Sequence, residues 1–516
     1  MPAIIPTPPD RDPPGLEQTL REFVRESPYL GVSLLLHAVV LLVFMAQTNP
    51  IEFDEDISTL VVSPQAPPDV VPPTPIEPEP LEQPPEPVET PNITEDKFTD
   101  DPTDDIADAD DSIEHAFDDS PSETVLGVGA GSREFGSGNG LPGKYSGRGS
   151  GTTHSPRIEA GLAWLAAHQH PDGYWSGESF SDECGKLGDT ECTGRGSVHH
   201  DVGVTSLALL AFLGAGQTDR RGTYKQTVKA GLRFLSRSQD GGTGNFAPDS
   251  LVGSSVYDHM LATLTLVEAY ALTDSSIFKR PAERGLRHIA DVRNTGRAWR
   301  YRLDGPPDAD MVLNPDDASV TGWALLALVL GRDAGLEIDE AAIEDGLRFL
   351  DELTDENGRT GYVSRGGGSS RPIGRDTSHP AEQTEAMTAV AMLCRIFADP
   401  EMQRGDLDNA GDIQRGADLL LATPITWDEE NRPGRVDFYY WYYATYALYQ
   451  VGGSSWTSWQ RGISDIAAAQ RDDDDATGSW DPQADAWGGE GGRVYSTALL
   501  TLVLEAQTRY GSIMGR

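Results

Sequence analysis

The sequence has few cysteines, few basic residues and only one long apolar run. Its 516 residues include three cysteines, Cys184, Cys192 and Cys394. Three cysteines are too few for a disulfide-dense scaffold or a multi-cysteine zinc finger, because such folds need several pairs or a full set of ligands. A chain of this length contains either several domains or one large repeat assembly.

Basic residues are scarce relative to acidic ones. The chain has 82 Asp and Glu against 40 Lys and Arg, a formal net charge of -42. It therefore lacks the basic surface that phosphate backbones require, which excludes nucleic acid as the expected partner. Between residues 51 and 132 there are 23 acidic residues and one basic residue, Lys97. Prolines fill this segment and Gly and Ser follow it, so residues 49–152 are predicted to be a disordered tether.

The single long apolar run, residues 29–46, contains no charged side chain. A helix needs about 20 apolar residues to cross a bilayer core. Arginines precede the run and acidic residues follow it. This distribution predicts a single-pass transmembrane helix over residues 29–48 of the inner (cytoplasmic) membrane, with residues 1–28 in the cytoplasm and the rest of the chain periplasmic. A cleaved signal peptide is the alternative, although the small-residue cleavage pattern is absent.

Ser33 and His37 lie one helical turn apart in this run and would share a face of the helix. Ionisable side chains within membrane spans are commonly functional, because exposing them to lipid is costly. A single span with Ser-x-x-x-His before an acidic, Pro-rich segment resembles the N-terminal half of TonB-type energy transducers. The resemblance covers residues 20–90 and implies contact with proton-channel subunits. A neutral histidine in an ordinary anchor is the alternative.

From residue 155 onward a pair of half-units repeats six times. The first half-unit is an amphipathic stretch that ends in a Gly/Asp-rich turn and an aromatic residue, and its copies begin at Gly161, Gly231, Gly285, Gly346, Gly416 and Gly462. The second is apolar nearly all round, and its copies begin at Thr205, Thr263, Thr321, Thr384, Thr445 and Thr497. Such patterns predict partly exposed and fully buried helices in alternation. Residues 153–516 are therefore predicted to be an all-α, six-unit α/α toroid with an inner and an outer ring of helices.

The turns of the repeat carry a motif. Gln169-x-x-x-Gly173-x-Trp175 has a counterpart near the C-terminus that begins at Gln470 and ends at Trp480. The pattern resembles the QW motif of squalene cyclases and of the related protein prenyltransferase β-subunits, and the similarity spans all six units. It implies the α/α toroid fold. It also implies that the glutamine and tryptophan link an outer helix to the turn beside it, which is a structural role.

The catalytic motifs of those enzymes are not in place. The run 472–475 satisfies DxDD, the acid motif of squalene–hopene cyclases, but it lies in the turn of the last repeat, where we expect a solvated loop. No Asp-x-Cys precedes an inner helix, so the zinc motif of prenyltransferases is missing, and Cys394 lies in an apolar run typical of a core. An enzyme of this kind would be a terpenoid cyclase- or prenyltransferase-like protein that uses neither motif.

Polar residues cluster just before the inner helices, whose N-termini gather at one end of a closed toroid. The candidates for acid–base chemistry are His200, Asp201, His259, His379 and Asp437. Aspartate at such positions also caps helices, which is the alternative interpretation. Three of them, His200, His259 and His379, are candidate ligands of a divalent metal such as zinc, because imidazole and carboxylate groups suit it.

Aromatic residues crowd one inner helix. The candidate ligand-binding side chains are Tyr439, Tyr440, Trp441, Tyr442 and Tyr443, together with Trp323 of another inner helix. Rings at helical spacing would line a cavity and suit an apolar or carbohydrate ligand. Because four tyrosine hydroxyls cannot all lie in a dry core, some are expected to face the cavity or solvent. Aromatic packing between the two rings of helices is the alternative.

Cys184 and Cys192 lie in one polar segment, residues 177–197. Their separation permits a disulfide, which would order a loop that has few apolar anchors. A metal pair is the alternative, with only two ligands to offer.

The sequence as a whole predicts a membrane-anchored extracytoplasmic toroid that binds an apolar, isoprenoid- or lipid-like ligand in its central cavity, or an extracytoplasmic partner. One alternative is a terpenoid- or prenyl-processing enzyme, metal-assisted at the cavity mouth. The other is a TonB-like energy-coupled transducer.

Overall fold

The computed structural model describes residues 154–509, except for 189–190, 198–199, 247–254, 295, 302–314, 373–374, 376, 399–409 and 428–433. The predicted anchor at 29–48, with Ser33 and His37, and the tether at 49–152 lie outside the described residues. Among the helices described, none combines the length and apolarity that a membrane-spanning helix requires.

Twelve α-helices occur in the described residues, and they alternate between two positions. The outer helices are α1 Ser155–Ala167, α3 Lys225–Ser238, α5 Ser276–Asp291, α7 Glu340–Glu352, α9 Ala410–Ala422 and α11 Gly453–Ala468. The inner helices are α2 Asp201–Gly214, α4 Ser255–Thr273, α6 Ala318–Asp333, α8 Ala386–Ala398, α10 Phe438–Val451 and α12 Gly488–Arg509. Short 3₁₀ helices span Phe180–Glu183, Ala381–Gln383 and Asp474–Ala476. Every predicted half-unit falls on its expected helix, with Thr384 just ahead of α8.

The even-numbered helices form a closed inner ring. Each packs against the next one along the chain, and α12 returns to pack against α2. These helices are apolar nearly all round, so that neighbours in the ring and the outer helices can cover them. In α6, for example, every residue from Ala318 to Gly331 is buried. The predicted all-α toroid with two rings of helices is therefore confirmed.

The outer helices bury one face each. In α5 the buried positions recur at intervals of three and four residues, from Phe278 through Leu286 to Ile289, which is the period of one helix face. The glycine that opens each repeat lets the two rings approach closely. A Cβ atom at Gly285 would lie 2.5 Å from Oγ1 of Thr263 on α4. The repeated glycine is therefore a packing requirement.

The glutamine and tryptophan of the first turn bind backbone atoms of the outer ring. Gln169 Nε2 donates to the carbonyl of Gly173 at 2.8 Å and to that of Thr227 on α3 at 3.0 Å. The indole of Trp175 donates to the carbonyl of Leu165 on α1 at 2.7 Å. The turn thus connects one outer helix to the next, and the structural role implied for the motif is confirmed.

The last turn uses the same contacts to close the outer ring. Gln470 Nε2 donates to Gly478 O and to Arg157 O on α1, both at 2.8 Å. Gly478 has a φ of +93°, and a Cβ there would lie 2.1 Å from the carbonyl oxygen of Ala160. Since α1 is the first outer helix, this turn joins the two ends of the repeat.

One part of this turn differs from the expected solvated loop. The first three aspartates of the run 472–475 are exposed, but Asp475 is fully buried. Its Oδ1 accepts hydrogen bonds from the backbone amides of Leu187 at 2.8 Å and Gly188 at 2.7 Å, and Oδ2 accepts from the amide of Gly185. The prediction is wrong for Asp475, because backbone amides compensate the cost of burying a carboxylate.

Candidate functional site

Five tyrosines surround the N-terminal end of the inner ring, and we call them the tyrosine site. They are Tyr257 of α4, Tyr301 and Tyr362 of the segments before α6 and α8, Tyr439 of α10 and Tyr495 of α12. All except Tyr439 are half-buried, as is Trp487, whose ring centroid lies 6.3 Å from that of Tyr439. Six aromatic side chains therefore lie at this end of the inner ring, and five of them are half-buried.

A chain of hydroxyl groups connects this surface to a buried acid, Asp317. Ser319 Oγ lies 2.7 Å from Asp317 Oδ1 and 2.6 Å from the hydroxyl of Tyr257. The hydroxyl of Tyr257 lies 2.9 Å from that of Tyr301. A proton can move along such a chain, because each hydroxyl is both a donor and an acceptor.

The Asp317 carboxyl caps α6 and is unevenly bonded. Oδ1 accepts hydrogen bonds from the backbone amides of Ser319 at 3.0 Å and Val320 at 2.9 Å. Oδ2 is buried and has no hydrogen-bond partner among the described residues. Burial raises the pKa of Asp317 to about 7. Asp317 is therefore a helix cap, as the capping interpretation expects. Capping does not explain why its Oδ2 has no partner among the described residues or why its pKa is near neutral.

Asp437, a predicted acid–base residue, has its bonds fully used. Its Oδ1 accepts from the amide of Tyr440 at 2.9 Å and so caps α10. Its Oδ2 lies 3.1 Å from Arg371 Nη1 and accepts from Thr384 Oγ1 at 3.0 Å. A carboxylate that is capped and ion-paired in this way is a structural element of the ring.

His200 and Asp201 occupy the start of α2. His200 Nδ1 lies 3.6 Å from Asp258 Oδ1. Burial lowers the pKa of His200, but the carboxyl groups of Asp258, Glu490 and Asp201 together outweigh burial and the net shift is upward. Burial also raises the pKa of Asp201. The pair of His200 and Asp258 is a second titratable group at this end of the ring.

His259 and His379 make contacts that differ from those of His200. His259 is fully buried, accepts a hydrogen bond from the amide of Phe246 at 3.3 Å, and has its pKa lowered by burial. His379 Nε2 lies 3.1 Å from the carbonyl oxygen of Ala484. Within the described part of the chain, none of the three predicted metal ligands belongs to a group of three ligand atoms.

The six aromatic candidates are buried, with exposures of at most 9%: Trp323, Tyr439, Tyr440, Trp441, Tyr442 and Tyr443. Trp323 stacks on Tyr442 with centroids 5.7 Å apart, and Trp441 packs on Trp427 at 5.1 Å. These contacts agree with the alternative of aromatic packing between helices, and a role of these rings in ligand binding stays a prediction. Tyr439, the most exposed, reaches the tyrosine site.

The hydroxyl groups of these tyrosines differ in their hydrogen bonds. That of Tyr440 donates to the carbonyl of Thr423 at 2.9 Å. Those of Tyr439 and Tyr443 are buried and form no hydrogen bond of normal geometry with the described residues. The ring of Tyr443 is fully buried, so its hydroxyl is not among those that face solvent.

The two loop cysteines meet in space but are not joined. Cys184 and Cys192 are both free thiols, so the predicted disulfide is not formed in this structure. With His168 they form the one group of three potential metal ligands found in the described ranges. Sequence reasoning missed His168, since it ends a different element and has no motif spacing to the cysteines.

Sequence reasoning placed Asp317 among the acids that precede the inner helices but did not select it as a site residue, and it missed four of the five tyrosines. A signal existed for two of the tyrosines. Tyr301 follows the turn tryptophan Trp299 by two positions, and Tyr362 is itself the aromatic residue of the fourth turn. Tyr257 and Tyr495 carry no such signal, because each is one polar–aromatic residue at the start of an apolar helix.

No protein-family model and no curated protein matches the chain significantly. Among solved structures, the type II terpene cyclase MstE from Scytonema aligns with 13% identity and a TM-score of 0.43, covering 70% of this chain and 99% of the cyclase. A cellobiose 2-epimerase from Spirochaeta thermophila aligns with 13% identity and a TM-score of 0.45, covering 69% and 98%. An α-1,6-mannanase from Salegentibacter aligns with 11% identity and a TM-score of 0.44, covering 68% and 98%. The function of this chain is argued from its own residues.

Proposed function

We propose that the tyrosine site binds a neutral, apolar molecule of isoprenoid- or lipid-like character. The observation that carries the proposal is the group of four half-buried tyrosines, with Tyr439 and Trp487, at the N-terminal end of the inner ring. Aromatic faces supply apolar contact area at low entropic cost, and phenol hydroxyls can hold one polar end of a ligand.

The charges at this end favour a neutral ligand over a diphosphate. The Asp485 carboxyl accepts hydrogen bonds from the backbone amides of Phe438 at 2.6 Å and Trp487 at 2.9 Å. Burial raises the pKa of Asp485 well above the usual range. Asp317 lies below the hydroxyl chain. Arg371, the guanidinium at Asp437, is buried and already paired. The carboxyl groups and phenols near the site therefore disfavour an anionic headgroup.

Binding to the full chain tests this proposal. Geranylgeraniol is added while tyrosine and tryptophan fluorescence is followed, with geranylgeranyl diphosphate and mannobiose as competing chemical classes. We expect saturable binding of the alcohol, weaker binding of the diphosphate, and at least a tenfold loss of affinity in Tyr439→Ala. Tyr449→Ala is the matched control, because Tyr449 lies near the opposite end of α10 and donates to Gln507 O at 3.4 Å. Equal affinity of the two variants, or preference for mannobiose, contradicts the proposal.

General acid–base chemistry on the bound molecule is the second candidate function. A carboxyl whose pKa is about 7 is matched to proton transfer near neutral pH, although it is a weak acid for protonating an alkene. The Ser319 and Tyr257 hydroxyls connect it to the accessible rings.

Deuterium exchange tests this second function. The full chain is incubated with geranylgeranial in D₂O near neutral pH, and the recovered aldehyde is weighed by mass spectrometry. An acid–base site removes a proton from carbon conjugated with the carbonyl and returns a deuteron. We expect exchange with the wild-type chain and none with Asp317→Asn that still binds the aldehyde. Exchange that is unchanged in the variant contradicts a role for Asp317.

We also propose, from the sequence alone, that residues 29–48 anchor the toroid to the inner membrane and that Ser33 and His37 contact proton-channel subunits. Resistance of the full chain to alkaline extraction, with the toroid accessible to protease in spheroplasts, is the expected result. His37→Ala should leave geranylgeraniol binding unchanged and abolish any activity that depends on the proton gradient. Extraction of the chain by alkali contradicts the anchor.

A further inference from the structure

Three potential metal ligands from two parts of the chain meet beside the first turn of the repeat. His168 directly follows α1, and Cys184 and Cys192 lie in the loop before α2. His168 Nε2 is 3.5 Å from Cys184 Sγ and 3.6 Å from Cys192 Sγ. His168 and Cys192 are buried, whereas Cys184 is partly exposed.

The imidazole of His168 is oriented for ligation. Its Nδ1 lies 2.8 Å from the carbonyl oxygen of Trp164, so Nδ1 carries the ring proton and donates it to that oxygen. The Nε2 lone pair is then free and points toward the two sulfurs. The ring also stacks on Trp164, with centroids 4.1 Å apart. A backbone carbonyl bonded to the far nitrogen is the arrangement that fixes metal-ligating histidines in proteins.

The loop that carries the cysteines is shaped by the protein itself. The amide of Cys192 donates to Cys184 Sγ at 3.2 Å, a contact that holds the two cysteines near each other. The amides of Leu187 and Gly188 donate to the Asp475 carboxylate. The ligand atoms are therefore held near one another by contacts that do not involve a disulfide.

We propose that His168, Cys184 and Cys192 bind one zinc ion, with the fourth position left to solvent on the partly exposed side at Cys184. With Zn–S bonds of about 2.3 Å and Zn–N bonds of about 2.0–2.1 Å, tetrahedral zinc holds its nitrogen and sulfur ligands about 3.5–3.6 Å apart. The two observed N···S distances agree with this value. Two thiolates and an imidazole form a soft ligand set that suits zinc and disfavours magnesium and calcium.

The position of the site indicates what the ion does. The cysteine loop contacts the last unit of the ring at Asp475 and also at Arg493 of α12, whose Nε donates to Thr193 O at 2.6 Å. The amide of Arg493 donates to Gly194 O at 2.8 Å. A zinc ion here joins α1 to the loop that holds the first and last units together. It therefore stabilises the closure of the toroid.

Metal analysis of the full chain, purified without chelator, is the first test. We expect one zinc per chain, lost in Cys184→Ser, Cys192→Ser and His168→Ala. Cys394→Ser is the matched control and should keep its zinc, because Cys394 is buried in α8 with its Sγ 3.6 Å from Gly322 O. Zinc that persists in the three site variants, or disappears in the control, overturns the assignment.

A thiol count separates zinc from the disulfide and needs no variant. The full chain is denatured in EDTA without reductant and treated with iodoacetamide, and its mass is measured by mass spectrometry. The zinc site yields three alkylated cysteines, whereas a disulfide between Cys184 and Cys192 yields one and overturns the proposal. If three thiols are found, one equivalent of Zn²⁺ or Co²⁺ is added to the apo protein. Tetrahedral cobalt–thiolate absorption is expected, and a chain that binds neither ion also overturns it.

Discussion

The repeated turns and the tyrosine site are built from the same helix-pair unit, but they differ in whether their polar atoms have hydrogen-bond partners. In the first and last turns, the side chains of Gln169, Trp175 and Gln470 have backbone partners. In and below the tyrosine site, Asp317 Oδ2 and the hydroxyl of Tyr495 are buried without a partner among the described residues. Buried polar atoms are normally bonded. The comparison separates bonded polar side chains in these turns from unpartnered ones at the proposed ligand site.

Gly478→Ala should have the largest effect, because it damages the turn that closes the outer ring. The residue has a φ of +93°, and its Cβ would lie 2.1 Å from the backbone oxygen of Ala160. A clash with backbone cannot be relieved by a rotamer change, so we expect a loss of about 5 kcal/mol in unfolding free energy. Urea denaturation of the full chain measures it.

Gly335→Ala is the control for this variant. Gly335 also has a positive φ, of +72°, but nothing lies within 4 Å of its Cβ position. The left-handed conformation alone should cost about 1–2 kcal/mol. Similar losses in the two variants would show that conformation, and not closure of the ring, limits stability.

Asp317→Asn tests the tyrosine site through pH. The folded pKa, about 7, is above the ordinary aspartate value, so the stability that the protonated carboxyl contributes is complete below about pH 4 and is lost as the pH rises through 7. Asparagine keeps the oxygen that caps α6 and removes the titration. We expect the variant to gain about 3–4 kcal/mol relative to the wild type between pH 4 and pH 8.

This difference is measured from the unfolding free energies of the wild type and the variant at several pH values. The contributions of other titrating groups are the same in both chains and cancel. The wild-type chain should lose stability over this range relative to the variant. A difference that does not change with pH would place Asp317 with the structural carboxylates such as Asp437.

The smallest expected effects come from two tyrosine hydroxyls on neighbouring inner helices. Tyr446 donates to the carbonyl of Leu502 at 2.7 Å, so Tyr446→Phe should cost about 1 kcal/mol. The Tyr495 hydroxyl has no partner among the described residues, so Tyr495→Phe should cost nothing or gain about 1 kcal/mol. Thermal unfolding compares them. If Tyr495→Phe weakens geranylgeraniol binding without loss of stability, the hydroxyl belongs to the ligand site. A loss of stability equal to that of Tyr446→Phe would remove the contrast between the two regions.

The fold could be predicted because its signals are local and repeated. Gly285 and Leu286 recur in kind in other outer helices, and each inner helix is a short apolar stretch, so periodicity alone gives the pairs of helices. The structural role of Gln169 and Trp175 followed from the motif. The site could be predicted only in position, at the N-termini of the inner helices, because a toroid gathers those ends.

The identity of the site residues depended on distances that the sequence does not contain. Asp437 and Asp317 both precede inner helices, and only the Arg371 contact makes one a paired structural carboxylate. The sequence predicts that Asp475 belongs to a solvated acidic run. In the structure, backbone amides of the cysteine loop, nearly 290 residues earlier in the chain, donate hydrogen bonds to its carboxylate.

The sequence by itself determined the charge distribution, the repeat, the alternation of amphipathic and apolar helices and the motif of the turns, because each is written in neighbouring residues. The tertiary structure decided which acid keeps an unpartnered oxygen, which tyrosines share one surface and that His168 joins two cysteines. These properties arise only when the chain folds, because burial and the partners of a polar group depend on contacts between different elements, and the sequence does not contain those distances.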